Sequence, residues 1–518
     1  MKYLLASIKS RLWFAATTAA TIGIIVLIGL MSGCDSDTAD TTSKVVDAET
    51  RKPNVVFVLT DQWRAQATGY SGDPNLIGKT PNLDRIADSG INFRNAISTT
   101  PVCTPYRAAL LTGQYPTTTG MIFNDLHLPE ESYTMAEMFK ESGYATAYIG
   151  KWHLDGMMRD RFTPPERRQG FEYWKALECS HEYNELVYYE GDSPEKKQWD
   201  GYGPYAETDD AISYIEQNAD GDRPFLMVLA FGAPHFPHHS APEEMRALFS
   251  PEDIVLRGNV TDDQAESTRN EAAGYYAHIA ALDTSIGRLR EAIDQAQISD
   301  NTILVFTSDH GEMMGSHGWR PKQKQVAWAE SVRVPFLLQY PARYGNEKIA
   351  VDAPINTPDI LPTLLAMAGL PIAIGIEGED MTSAIDNDDA ARDKAALIMN
   401  VCPFAGDFDE YRGVYTRRFS YVETLDGPSM LFDMENDPLQ MNNLVDIPEH
   451  EELQNHMSLL LQRELEKAGD EFMPRQYYID KWNYQLNEYG HIPYGFVEDF
   501  ESADSPEIVF QGPSLNNR

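Results

Sequence analysis

The chain is poor in cysteine and in basic residues. Only 4 of its 518 residues are cysteine. A fold stapled by many disulfides, or a thiolate zinc module, is thereby excluded. Lys and Arg number 42 against 79 Asp and Glu, a net charge of −37. A phosphate backbone needs a basic face, so nucleic acid is excluded as a partner. The acidity reads as a solvated surface suited to salty surroundings, and an anionic substrate then requires a locally built positive field. Internal repeats are missing, which excludes a solenoid or propeller. The one long apolar run, Leu12 to Leu30, lies at the N-terminus. The whole chain is 42% hydrophobic and 11% aromatic. That composition specifies a globular body with a sizeable core.

Lys2, Lys9 and Arg11 precede the apolar run, and small residues follow it. This is the pattern of an export signal; the bland alternative is an uncleaved anchor. Ser32-Gly33-Cys34 resembles the lipobox of bacterial lipoproteins, with Met31 where Leu is usual. The resemblance implies a signal over 1–33, a lipid on Cys34 and a membrane-tethered chain in the periplasm or on the surface of a bacterium. Residues 35–52 are polar and short of large apolar side chains, so 34–52 is expected to be a flexible tether. Cys179 and Cys402 are far apart in sequence, and spacing leaves open whether they pair.

The body alternates strand-like and helix-like segments. "NVVFVLT" (54–60), "ATAYIG" (145–150), "PFLMVLA" (224–230) and "NTILVFTS" (301–308) are apolar runs of strand length. Helical spacing follows in "TPNLDRIADSG", "YTMAEMFKESG" and "AAGYYAHIAALDTSIGRLREAI". Buried strands alternating with helices predict an α/β fold: a large, mainly parallel sheet sandwiched by helices. Shorter strands and the helix of "EELQNHMSLLLQRELEKAG" predict a smaller antiparallel α+β subdomain. The expected organisation is a catalytic domain over 53–390, a subdomain over 391–480 and a tail over 481–518.

The residues after each strand carry the chemistry. Asp61-Gln62, Lys151-Trp152-His153, His235 and Asp309-His310 each follow a predicted strand. Ligands of open α/β sheets bind at that carboxyl edge. A single histidine there is more often structural; four deliveries to one edge point to a site. Asp61, Gln62, Asp309 and His310 offer three oxygen donors and an imidazole, which suits a divalent cation such as Ca²⁺ or Mn²⁺. Neither aspartate has an obvious cationic partner in sequence. Arg107, Lys151, His153, His235 and a lysine of "GWRPKQKQ" are the positive groups. Such a set is built for sulfate or phosphate ester hydrolysis.

Cys103 sits in a polar loop of Thr and Pro, where a structural cysteine is out of place. Cys103-Thr104-Pro105-Tyr106-Arg107 fits Cys-x-Pro-x-Arg. This resembles the maturation signature of type I sulfatases, members of the alkaline phosphatase superfamily. "LTDQ", "GKWH", "PH", "SDHGE", "GSHG", "ESVRVP" and "LFDMENDPLQMNNLV" follow in that family's order, over roughly residues 52 to 475. The resemblance implies an alkaline phosphatase-like fold. It implies that a formylglycine-generating or sulfatase-maturating enzyme oxidises Cys103 to formylglycine, whose hydrate is the nucleophile. Asp61, Gln62, Asp309 and His310, with residue 103, would hold Ca²⁺, with Mn²⁺ as the alternative. Arg107 would orient the hydrate and Lys151 would bind sulfate oxygens. His153 would take a proton from the second hydroxyl, and His235 would protonate the leaving alcohol. Lys324 fits the second sulfate-binding lysine; Lys322 is the alternative. Tyr106 stands where Ser is frequent, Gln62 where a second Asp is common and His310 where many members have Asn. Those last two variants also occur in phosphonate monoester hydrolases, so a phosphonate monoester or phosphodiester hydrolase is the second reading. A tethered binding protein without chemistry is the third.

The substrate signal is the aromatic segment "FEYWKALECSHEYNELVYYEGD" (171–192), with Trp199, Tyr202 and Tyr205 beyond it. Most of these aromatics pack a lobe on the bland reading. Aromatic faces also stack on sugars, and Asn and His bond hydroxyls. A sulfated carbohydrate is therefore the expected substrate, with His181 and Asn184 among its contacts.

Overall fold

The computed structural model describes residues 51–156, 158–404, 406, 408–496 and 511–513. The expected signal peptide and all but the last two residues of the tether lie outside them. Among the described residues no helix is long and apolar enough to cross a membrane.

The main sheet is built from β1 (Asn54–Asp61), β2 (Ile91–Phe93), β3 (Ala145–Lys151), β4 (Tyr173–Leu177), β5 (Val187–Glu190), β6 (Lys197–Gln198), β7 (Phe225–Pro234), β8 (Thr302–Ser308), β9 (Phe336–Gln339) and β10 (Ile349–Val351). Their spatial order is β10-β2-β9-β8-β1-β7-β3-β4-β5-β6. The five strands from β8 to β4 are parallel. β9 joins antiparallel on one side and β5 on the other. The expected α/β class and the four expected strands are all present.

The central strands read as continuous apolar runs because both their faces are covered. In β1, Val55, Phe57 and Leu59 enter one core and Val56 and Val58 the other. The first core is closed by helices including α1 (Cys103–Thr112) and α3 (Thr357–Met367). The second is closed by α2 (Ala265–Gln295), whose Tyr275, Ile279 and Leu282 face the sheet. Fully burying a side chain of this size contributes about 1.5–3 kcal/mol. Five such residues in a row pin β1, and with it the position of Asp61.

A second sheet of β11 (Ala396–Asn400), β12 (Tyr411–Tyr415), β13 (Phe419–Thr424) and β14 (Gly427–Asp433) is antiparallel throughout, as expected for the C-terminal part. The helix α4 (Glu451–Lys467) packs on it through Met457 and Leu461.

Two expectations are corrected and one open question is answered. Cys103 is not in a loop: it is the first residue of α1, all ten residues of which are buried. Pro105 is tolerated there because first-turn N–H groups have no intrahelical partner to lose. Cys179 and Cys402 do not pair; both are free. The aromatic segment 171–192 is not a separate lobe but supplies β4 and β5, which extend the main sheet. Trp174, Tyr183 and Tyr189 are buried there, in line with the packing reading.

Candidate active site

The parallel strands end at one rim, and each delivers a side chain to it. Asp61 closes β1, Lys151 closes β3, His235 follows β7 and Asp309 follows β8. Cys103 enters from the start of α1. The expected residues Asp61, Gln62, Cys103, Arg107, Lys151, His153, His235, Asp309 and His310 are all buried there.

Four ligand-bearing groups converge. Single ligand atoms of Asp61, Cys103, Asp309 and His310 all lie within 4.8 Å of one another. The Cys103 Sγ is 3.3 Å from His310 Nε2 and 3.6 Å from Asp61 Oδ1. His310 Nδ1 lies 3.1 Å from the Gly311 carbonyl, so Nδ1–H donates there and Nε2 keeps its lone pair for the centre. Gln62 is oriented by the same logic. Its Nε2 donates to Glu312 Oε2 at 2.5 Å, which turns Oε1 toward Lys324 Nζ, 3.4 Å away. Gln62 holds this position with φ of 67°, a left-handed conformation uncommon outside glycine.

The donor chemistry fits a divalent cation. Two buried carboxylates this close disfavour full ionisation of both. Burial and the Asp61 charge push Asp309 up to about 6. Burial also raises Asp61, but Lys151 and His235 outweigh it and hold Asp61 well below the usual carboxylate range. Oxygen donors with one imidazole suit Ca²⁺ or Mn²⁺.

Cations surround the same point, correcting the expectation that the aspartates lack partners. Arg107 NH2 bridges Asp61 Oδ2 and Asp309 Oδ2, at 3.3 Å each, and its NH1 donates to the Lys151 carbonyl at 2.8 Å. Lys151 Nζ donates to Asp61 Oδ2 at 2.6 Å and lies 3.9 Å from Cys103 Sγ. Lys324 Nζ lies 3.2 Å from Cys103 Sγ, 3.2 Å from His310 Nε2 and 3.3 Å from His235 Nε2. The alternative, Lys322, is elsewhere: it pairs with Glu271 at 2.7 Å. Two carboxylates thus face three cations, a local positive excess inside an acidic chain. The field acts on the thiol. Burial and Asp61 push Cys103 up, yet Lys151, Lys324 and His153 bring it down to about 6.

Both histidines are set by neighbours. His153 Nε2 faces Asp125 Oδ1 at 3.2 Å, and its Nδ1 is buried without a hydrogen-bond partner. Arg159 clamps Asp125 with Nε at 2.8 Å and NH2 at 2.9 Å. Burial disfavours the His153 cation, but Cys179 and Asp125 outweigh it and hold His153 well above the ordinary range. His235 Nδ1–H donates to the Phe236 carbonyl at 2.9 Å. Burial, His181 and Lys324 hold His235 well below the ordinary range.

The two expected sugar contacts part company. The His181 ring stacks on His235 with centroids 4.1 Å apart and planes 13° apart. Its Nε2 is buried and unpartnered. Asn184 is exposed and donates to the Ser240 carbonyl at 3.0 Å.

Asp125, Arg159, Glu312 and Cys179 were missed by sequence reasoning. Asp125 lies in the irregular "FNDLHLP" with no periodic signal. Glu312 follows "SDHG" directly and was within reach, as an acidic residue one step beyond the expected ligands.

The sequence model of the family described as Sulfatase matches residues 53–370. That described as N-sulphoglucosamine sulphohydrolase, C-terminal, matches 315–467. An ulvan-active sulfatase from Formosa agariphila is 54% identical over 438 residues, 84% of this chain and 85% of that protein. A crystal structure of a sulfatase candidate, yidJ, from Bacteroides fragilis has a TM-score of 0.74 at 31% identity, covering 82% of this chain and 98% of its own. A structure in complex with its substrate D-glucosamine-2-N,6-O-disulfate has a TM-score of 0.68 at 25% identity, covering 82% and 100%. With its strand-end aspartates, buried Cys103 and ring of cations in the family's order, this chain belongs to the sulfatase family.

Proposed function

We propose that the protein removes sulfate from a sulfated polysaccharide of the ulvan type, or from fragments of it. The observation that carries this reading is the gathering of Asp61, Asp309 and His310 around Cys103, with Lys151 and Lys324 on its sulfur and Arg107 on the two aspartates. The likeness to an ulvan-active sulfatase over 84% of the chain supports the substrate class.

Oxidised to formylglycine by a maturating enzyme, residue 103 would supply a hydrated aldehyde as the nucleophile toward sulfur. A divalent cation, Ca²⁺ before Mn²⁺, held by Asp61, Gln62, residue 103, Asp309 and His310, supplies Lewis acidity toward sulfate oxygens. The chain's own groups do the rest. Lys151 and Lys324, on either side of Cys103, bind the ester's anionic oxygens. Arg107 holds the two aspartates apart and in place. Asp125 accepts from Nε2–H of His153, so in the neutral ring Nδ1 is the atom that would take a proton from residue 103, and the resulting cation is the form that Cys179 and Asp125 favour. On the other side, His235 Nε2 accepts from Lys324 Nζ. The proton for the leaving alcohol therefore resides on the Lys324–His235 pair rather than on His235 alone.

His181 and Asn184 remain the proposed sugar contacts. His181 lies against His235, where the leaving sugar departs, and burial and Lys151 hold it neutral, well below the ordinary range. Asn184 stands further out. We expect His181→Ala to lower kcat/KM on an ulvan oligosaccharide by roughly tenfold, the worth of one or two hydrogen bonds to the sugar. The small p-nitrophenyl sulfate, which lacks the sugar, should lose little. Equal losses on both substrates remove His181 from the sugar pocket.

Export through residues 1–33 and a lipid anchor on Cys34 belong to this proposal. They rest on the sequence pattern alone and place the enzyme outside the cytoplasm, where such polymers are met.

A further inference from the structure

The catalytic residues occupy only part of the rim. A cavity of about 430 Å³ opens elsewhere along it. That lies within the range of small-ligand pockets, roughly 300–1,000 Å³. Its walls are the segment after β1 (Gln66, Tyr70 and Ser71), the end of β2 with Arg94, the loop with Arg257, and Arg333 at the approach to β9. β2 runs antiparallel to β9, and β9 antiparallel to β8, so β2 shares the direction of β1. The cavity therefore opens at the same carboxyl edge of the sheet as the active site. None of the residues that line it belongs to that site.

Three arginines meet there in a chain of net charge −37. Arg94 pairs with Asp352 at 2.5 Å, and Arg257 with Glu330 at 3.2 Å. Arg333 NH2 donates to the Arg94 carbonyl at 2.6 Å. The Nε atoms of Arg257 and Arg333 are buried without a hydrogen-bond partner, as is the Gln66 Oε1. Asp73 also lines the cavity, but the Tyr276 hydroxyl and the Asn75 amides already occupy its carboxylate. Burial holds both Arg257 and Arg333 below the usual arginine range. The three arginine side chains, with Tyr70 and the apolar Val255 and Leu256, form a pocket of mixed character. Such a lining suits a sugar ring that carries an anionic group.

We propose that this cavity is a second, non-catalytic subsite that binds an anionic sugar unit of the same polysaccharide chain whose sulfate ester is cut at Cys103. The inference rests on the proposed function for the nature of the polymer. The shared edge allows one extended chain to lie across both sites, so the subsite raises affinity for polymer without touching the reacting ester. A free sulfate ion has the same anionic chemistry, and the test separates the two sources.

Two variants serve. Arg94→Gln with Arg333→Gln removes two donors. Ser71→Glu, at an exposed position on the cavity wall, adds an opposing charge and leaves the arginines in place. Steady-state kinetics on ulvan polymer should show KM raised roughly threefold to tenfold in both, with kcat kept, as expected for losing one or two charged hydrogen bonds. kcat/KM on p-nitrophenyl sulfate should not move. Calorimetric titration of ulvan polymer into the Cys103→Ala protein should show the same loss of affinity when either variant is added. Sodium sulfate at matched anion concentration should not displace the polymer. Unchanged affinity in both variants overturns the subsite. So does a parallel loss on the aryl sulfate, which would make the arginines supports of the fold. Displacement by sodium sulfate would make the cavity a site for the free ion instead. Because binding is read without turnover, arginine-dependent binding with no sulfate release would overturn the proposed function and leave the subsite standing.

Discussion

Cys103→Ala should lose essentially all sulfatase activity, by roughly 10⁴-fold or more, the scale seen when a covalent nucleophile is deleted. The expectation follows from position. Cys103 is 1% exposed at the start of α1, and Lys151, Lys324, Asp61 and His310 all lie within 3.9 Å of its sulfur. Peptide mass spectrometry of active protein should find residue 103 with one sulfur and two hydrogens fewer than cysteine and one oxygen more. Protein from a host without a maturating enzyme should keep the thiol, held near pKa 6 by the two lysines and His153, and should be nearly inactive. Activity that survives Cys103→Ala would remove the nucleophile from the account.

The second large effect is the dependence on a divalent cation. Chelation should lower kcat by roughly 10²- to 10³-fold, the usual weight of one lost electrostatic stabiliser in a transition state. Ca²⁺ or Mn²⁺ should restore it. Stability supplies a readout independent of turnover. Without a cation, Asp61 and Asp309 confront each other in a buried site, and Asp309 is pushed up to about 6. Adding Ca²⁺ at a hundred times its Kd should stabilise the fold by about 2.7 kcal/mol, seen as a rise in Tm. Asp309→Ala should abolish that rise together with the activity. A Tm indifferent to Ca²⁺, with full activity after chelation, would leave the four converging groups without a cation to hold.

Much of the fold was legible because the central strands are covered on both faces. Val55–Leu59 and Ile303–Phe306 are unbroken apolar runs, and such runs rarely arise outside a buried sheet. The rim was legible for a related reason: a polar residue after a run of that kind stands at the edge where ligands bind. What stayed hidden was set by tertiary packing. Cys103 looked like a loop residue because Thr and Pro flank it, and nothing local says that α1 is buried all round. Lys322 and Lys324 are two residues apart, and only the turn of the chain decides which one reaches Cys103. Asp125 touches His153 across 28 residues of irregular chain, so no periodicity could announce it. The short strands β5 and β6 merged with the aromatic segment because their alternation is brief and half-exposed.

Sulfate and phosphoryl esters place similar demands on a metal with surrounding cations, so geometry alone distinguishes them least. The ratio of kcat/KM for an ulvan oligosaccharide sulfate to that for an aryl phosphodiester, measured on matured, Ca²⁺-loaded enzyme, bears on this most directly. The account predicts sulfate release at a kcat/KM at least roughly a hundredfold higher, equivalent to about 2.7 kcal/mol of transition-state preference. A phosphodiester turned over faster than every sulfated saccharide would contradict it and assign the site to phosphonate or phosphodiester hydrolysis.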